Sequence, residues 1–174
     1  VSPTIVAVEP TAPADAAASE RALRRVADPA HGTGPQRWDD VDVHDYKVAG
    51  SAPFRGVTRQ VLFERDELAC QVRYFEVEPG GHSTLERHEH VHAVVVLHGR
   101  GRCLVGTSVL ELGPRDLVEV PPMTWHQFRA ADDAPLGFLC IVNVERDRPQ
   151  LPTGADLEAL CADPTVASFV RVAD

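Results

Sequence analysis

From Val57 to Val144 apolar and polar residues alternate in short bursts. The runs VTRQVLF, LACQVRYFEV, HAVVVLHG, RCLVG, SVLEL, DLVEV, HQFRA and LGFLCIVNV are rich in Val, Leu and Phe. Between them ERDE, EPGG, VGTS, LGPRD, VPPMT and ADDAP carry the Gly, Pro, Asp and Ser of turns. Eight short strands at this spacing predict an antiparallel sandwich or barrel.

The flanks have another texture. Residues 1–14, rich in Pro, Ala and Thr, cannot bury a core and read as an extended arm. ADAAASERALRRVADP, residues 14–29, predicts a short helix ended by Pro29. Residues 30–55 are polar and dotted with Gly and Pro, a lead-in containing Trp38 and Tyr46 that is expected to lie across the main domain. After Pro152, TGADLEALCADP has a Thr or Asp start signal, apolar spacing of three and four, and a closing Pro164, so it predicts one helix. The final TVASFVRVAD fits a short strand or a helical turn equally. The expected organisation is an arm with a short helix over 1–54, a β-barrel over 55–145 and a helical tail over 146–174.

At 174 residues the chain fits one domain, long enough to bury roughly two-thirds of its unfolded surface without staples. Seventeen Lys and Arg against 26 Asp and Glu leave a formal charge of −9, which argues against nucleic acid or an acidic membrane as partner and favours a small molecule. Cys70, Cys103, Cys140 and Cys161 form no C-x-x-C, and three of them lie in apolar runs, so they read as reduced, small buried hydrophobes. No run approaches the roughly 18 to 20 apolar residues of a membrane span, and the expected compartment is the cytoplasm.

The densest chemistry is GGHSTLERHEHVHAVVVLHGRG, with five histidines and two glutamates. Each strand residue advances about 3.3 Å, and alternate side chains share a face, so Glu86, His88, His90 and His92 have one parity. A straight strand would set Glu86 and His92 roughly 20 Å apart, too far to share an ion with bonds of about 2.0 to 2.2 Å. Glu86 and His88 can converge from one extended segment. A bend near residues 89–91 would bring back a strand starting at His92 as a third donor and leave His90 pointing elsewhere. His126, just after the turn at Pro121 and Pro122, is the best remote candidate for a fourth.

These residues carry a resemblance to the cupin superfamily. Gly80-x5-Glu86-x-His88-x3-His92-x6-Gly99 resembles that family's first signature, Gly-x5-His-x-His-x3,4-Glu-x6-Gly, with every spacing kept. The second, Gly-x5-Pro-x-Gly-x2-His-x3-Asn, is matched at Pro121 and His126, with Arg115, Met123 and Ala130 replacing its glycines and asparagine. Met123 therefore predicts a turn of different shape. The resemblance implies an all-β fold, a double-stranded β-helix or jelly-roll barrel with short flanking helices, and a homodimer. It places the metal ligands on Glu86, His88, His92 and His126, glutamate and histidine having exchanged places.

Three imidazoles and one carboxylate suit one divalent transition-metal ion. Iron or manganese are favoured by the resemblance, and zinc, nickel, copper or cobalt also fit the donors. Alternation places Val94 and Val96 beside His92 and Phe128 beside His126, predicting an apolar pocket for a small hydrophobic molecule bearing oxygen donors. Arg73 is a candidate anchor for an anionic group, although a rim or surface charge is the commoner role. With iron or manganese the resemblance implies a dioxygenase-type oxidoreductase. With zinc or nickel the ion would be a Lewis acid in an isomerase, cyclase or lyase, with Glu89 or His90 moving protons. A non-enzymatic module binding a metal or small ligand is the remaining alternative.

Overall fold

The computed structural model describes residues 36–173. Its strands are β1 (His44–Asp45), β2 (Arg55–Arg65), β3 (Cys70–His82), β4 (His92–Gly99), β5 (Gly101–Val105), β6 (Ser108–Leu112), β7 (Leu117–Val120), β8 (His126–Ala130) and β9 (Leu136–Asn143). Two short helices follow, α1 (Gly154–Leu160) and α2 (Pro164–Phe169). The arm expected over 1–14 and the helix expected over 14–29 lie outside the described residues. Among the described residues no helix is long and apolar enough to cross a membrane.

All strand pairs are antiparallel. One sheet curls through β6-β5-β8-β3-β9-β4-β7, and β2 and β1 add to the other edge of β3. Strand β3 joins the two halves because it is long: its first part pairs with β2 and β9, and its last residue, His82, pairs with Arg129 of β8. The result is an all-β jelly-roll barrel with short flanking helices.

EPGG, expected as a turn, lies inside β3. The two glycines let the strand bend rather than reverse. Gly80 takes φ +70°, a Cβ on Gly81 would sit 2.6 Å from the Arg55 carbonyl oxygen, and the β2–β3 register shifts between Arg55 and Val57. The turn at ERDE does reverse the chain, through a short 3-10 helix over Asp66–Leu68.

Arg115 and Met123 correct another expectation. Both adopt left-handed backbone, φ 79° and 54°, so the turns keep a glycine-like conformation although glycine is absent. The Met123 amide donates to the His88 carbonyl at 2.6 Å, tying this turn to the histidine segment.

Inward side chains fill the barrel from both sheet halves, with Val57, Phe75, Val77, Val94, Val96, Phe128 and Phe138 buried together. A second cluster lies beneath the helices and joins Leu85 and Leu104 to Leu160, Val166 and Phe169. Helix α1 is opened by a capping box: the Asp156 amide donates to the Thr153 hydroxyl, and the Thr153 amide donates to the Asp156 carboxylate. Pro164 closes nothing; it opens α2 from the Asp163 cap, where its missing N–H costs no helical bond. Phe169 is fully buried beneath the Arg102 and Arg129 guanidinium groups, and burial of such a side chain contributes about 1.5 to 3 kcal/mol.

From residue 36 onward the lead-in also lies on the barrel. Tyr46 and Phe54 pack edge-on at 5.4 Å, Tyr46 meets Phe75 at 5.8 Å, and Gln60 holds the backbone of Trp38 and Val41. These contacts bring Lys47 to the barrel mouth.

Candidate metal centre

The bend expected near 89–91 is present at residues 89 and 90, and β4 begins at His92. Before the bend, Glu86 pairs with His126 through reciprocal backbone hydrogen bonds of 3.2 and 3.0 Å. That bridge brings the remote histidine to the first segment. His88, His92 and His126 each offer one ring nitrogen, and these atoms lie within 4.8 Å of one another.

Their orientation is fixed from behind. His88 Nδ1 donates to the His90 carbonyl at 2.8 Å, and His126 Nδ1 donates to the Thr124 carbonyl at 2.9 Å. His92 Nδ1 lies 3.5 Å from Cys140 Sγ. Each ring therefore turns Nε2 inward, the usual way a backbone or side-chain partner sets the tautomer of a ligating imidazole. Among the described residues, Nε2 of His88 and of His92 is buried with no hydrogen-bond partner. A buried polar atom left unpaired is costly, and two aimed at one point together with a third imidazole fit a divalent ion.

Burial lowers all three basicities. His88 is held down to about 4 by desolvation first and then by the neighbouring His126 and His90. His92 falls further, again through burial and then His126 and His88, and burial also lowers His126. The rings are thus neutral near pH 7, the form that ligates.

Glu86 is buried beside this group, but its carboxylate is outside the convergent set. It pairs with Lys47 and accepts a 3.5 Å hydrogen bond from Tyr46. His90 stacks on His88 with ring centres 3.6 Å apart and directs Nδ1 to Asp147 at 2.6 Å. Asp147 also accepts from the amides of Glu89 and His90, so it clamps the bend. His88, His90 and Asp147 form a second, less buried group of possible donors. His98 lies away from the centre, with Tyr74 at 2.8 Å and Glu76 at 3.0 Å.

The centre opens on a cavity of about 240 Å³. Of the expected lining residues, Val94, Phe128 and Arg73 face it, whereas Val96 is packed in the barrel core. The apolar pocket expected from alternation is more polar than that pattern implied: Lys47, Arg59 and Arg146 line it beside Arg73, as does Cys140. Cys140 sits directly opposite Arg73 on β3 and Val94 on β4. Its Sγ is 3.3 Å from an Arg73 guanidinium nitrogen. Burial raises its thiol, and the Arg73 charge and hydrogen bond oppose that rise.

Sequence reasoning read Cys140 as a reduced, buried hydrophobe, which it is, but did not place it at the cavity, and it missed Arg59, Lys47 and Arg146. Strand parity could have found Cys140, which lies in LGFLCIVNV with the parity of Phe138. No local pattern marks Lys47 or Arg146.

A family profile described as the cupin domain matches residues 73–142. Over 134 residues, 77% of this chain and 86% of the other, the sequence is 60% identical to a protein of Rhodospirillum rubrum named 1-methylthio-D-xylulose 5-phosphate methylsulfurylase. A solved cupin 2 conserved barrel domain protein from Rhodopseudomonas palustris is 53% identical, with a TM-score of 0.78 over 86% of this chain and 99% of that one. A solved cupin-2 domain from Rhodospirillum rubrum is 60% identical, with a TM-score of 0.73 over 76% of this chain and 89% of that one.

Proposed function

The chain belongs to the cupin superfamily, and on that premise we propose that it is a metal-dependent enzyme removing the methylthio group from a 1-methylthio ketose 5-phosphate. The substrate class comes from the R. rubrum relative, whose name specifies 1-methylthio-D-xylulose 5-phosphate. The observation that carries the reading is that one cavity holds both the three convergent imidazoles and a thiol.

His88, His92 and His126 would hold the ion, with Glu86 completing the set when Lys47 releases it. Bound there, a divalent ion supplies Lewis-acid stabilisation for negative charge on the substrate's ketone oxygen. Iron or manganese is the expected metal.

Cys140 is the nucleophile in this reading. With His92 Nε2 holding an ion, its proton would reside on Nδ1, which faces the sulfur at 3.5 Å, while Arg73 donates from 3.3 Å. Burial raises this thiol, and two donors on the sulfur offset part of that rise and would stabilise the thiolate as it forms. The thiolate attacks the methylthio sulfur, forming an S–S bond and breaking the bond from sulfur to C1. The electron pair passes to the ketone as an enolate, and the proton lost by the thiol ends on C1. The products are a 1-deoxy ketose phosphate and Cys140 carrying a methylthio group. A small-molecule thiol then takes that group as a mixed disulfide and restores Cys140.

This reading differs from a dioxygenase-type oxidoreductase in consuming a thiol and no dioxygen. The test is to supply metal-loaded protein with 1-methylthio-D-xylulose 5-phosphate and a thiol while recording product and oxygen. Loss of the methylthio group without oxygen uptake supports the proposal. Oxygen uptake coupled to substrate would restore the oxygenase, and no turnover would leave a binding module.

A further inference from the structure

We propose that Arg59, Arg73 and Arg146 form a subsite for a phosphate dianion in the cavity that contains the three imidazoles. The inference rests on the sugar-phosphate reading for the ligand's identity, but its physical basis is independent of it.

The chain carries a formal charge of −9, yet this cavity collects three guanidinium groups and Lys47. The acidic groups that line it are occupied elsewhere: Glu86 pairs with Lys47, and Asp147 with His90 and the two bend amides. Among the described residues, none of the three arginines has a carboxylate within ion-pair distance. A concentration of unneutralised charge of one sign in a cleft focuses an oppositely charged ligand.

Strand register places two of the three together. Arg59 lies opposite Phe75 and Arg73 opposite Val61, so the arginines are diagonal neighbours on the inward face of the β2–β3 pair. Diagonal neighbours are about 7 to 8 Å apart, within reach of long side chains that grip one anion between them. Among the described residues, Nε of Arg59 and Nε of Arg73 are both buried without a hydrogen-bond partner. Such donors are costly unless something accepts from them, and the guanidinium fork matches phosphate oxygens in pairs. Arg146 is held from behind, donating to the Gln71 side chain and the Asn143 carbonyl, both at 2.9 Å.

Arg59 and Arg146 also feel the charge of Arg73. Desolvation first, then Arg73, lowers the basicity of Arg59; desolvation and then Arg73 lower that of Arg146, where Glu64 opposes them and Arg59 adds to them. An anion bound among them would relieve both penalties. Arg73 links this subsite to the reacting centre, because one guanidinium nitrogen contacts Cys140 while its Nε remains to donate to the phosphate. A five-carbon ligand can thus carry its sulfur end to Cys140 and its phosphate end to Arg59 and Arg146.

The test is calorimetric titration of metal-loaded protein with D-xylulose 5-phosphate, D-xylulose and inorganic phosphate, using wild type, Arg59→Gln and Arg146→Gln. Wild type should prefer the phosphorylated sugar to the free sugar by about tenfold or more, and each variant should lose about tenfold for sugar phosphate and inorganic phosphate alike. Metal content and D-xylulose affinity should not change. If Arg59→Gln does not fold, Arg59→Lys, which keeps the charge and loses the fork, should show a smaller loss in the same direction. Equal wild-type affinity for phosphorylated and free sugar, or variants with unchanged preference, would overturn the subsite. If phosphate binds through these arginines but 1-methylthio-D-xylulose 5-phosphate is not turned over, the subsite stands and the proposed reaction falls. Turnover with no arginine-dependent phosphate preference would keep the reaction and remove the subsite.

Discussion

His88 Nδ1 donates to the backbone carbonyl of His90 at 2.8 Å, so the bend that removes His90 from the strand also aims His88 Nε2 at the centre. The contact uses the backbone of His90 and not its ring. His90→Ala should therefore leave the metal site intact, whereas His88→Ala, His92→Ala and His126→Ala should each lower metal affinity by about 100-fold or more. Elemental analysis after dialysis distinguishes them, and equal metal loss from His90→Ala would show that the ring itself ligates.

The Lys47–Glu86 pair gives a prediction of opposite sign. If Glu86 is the fourth donor, Lys47 competes with the ion for its carboxylate. Lys47→Met should tighten metal binding several-fold, and Glu86→Gln should weaken it and abolish any effect of Lys47→Met. Competition with a chelator of known affinity measures both.

Protonation should destabilise the metal-free protein. Desolvation and the neighbouring His126 hold His88 down to about 4 against an ordinary value of 6.5. Between these values the unfolded chain takes up a proton that the folded one refuses, so stability is lost as pH falls from 6.5 toward 4. Thermal melts of metal-free protein across this window should show a falling Tm, with His88→Gln reducing the slope.

Met123 holds a left-handed backbone conformation that costs a non-glycine residue about 1 kcal/mol or more, and its side chain is exposed. Met123→Gly should raise stability by about 1 kcal/mol by chemical denaturation, because the His88 carbonyl still receives the residue-123 amide.

Much of this fold was legible because the strands are short and alternate. SVLEL and HQFRA form β6 and β8 with the predicted bounds, and the kink after His88 followed from the distance a straight strand would impose. EPGG misled because paired glycines mark a bend within a long strand as readily as a reversal. The three histidines were legible from spacing. Glu86 was less so, since its partner Lys47 is 39 residues away in a segment without periodicity. Cys140, legible as a buried cysteine, and Arg59 were not legible as cavity residues, because burial on a strand does not reveal whether a side chain meets packing or a cavity. The cross-strand register from β2 through β3 to β9 decides that.

The proposed reaction is tested most directly by intact-protein mass spectrometry of metal-loaded protein mixed with 1-methylthio-D-xylulose 5-phosphate and no added thiol. The prediction is a stoichiometric mass gain of one methylthio group, located on Cys140, removed by a reducing thiol and absent from Cys140→Ser, which also loses turnover by about a thousandfold or more while keeping its metal. Accumulation of 1-deoxy ketose phosphate by protein whose Cys140 stays unmodified, or undiminished turnover by Cys140→Ser, would contradict it.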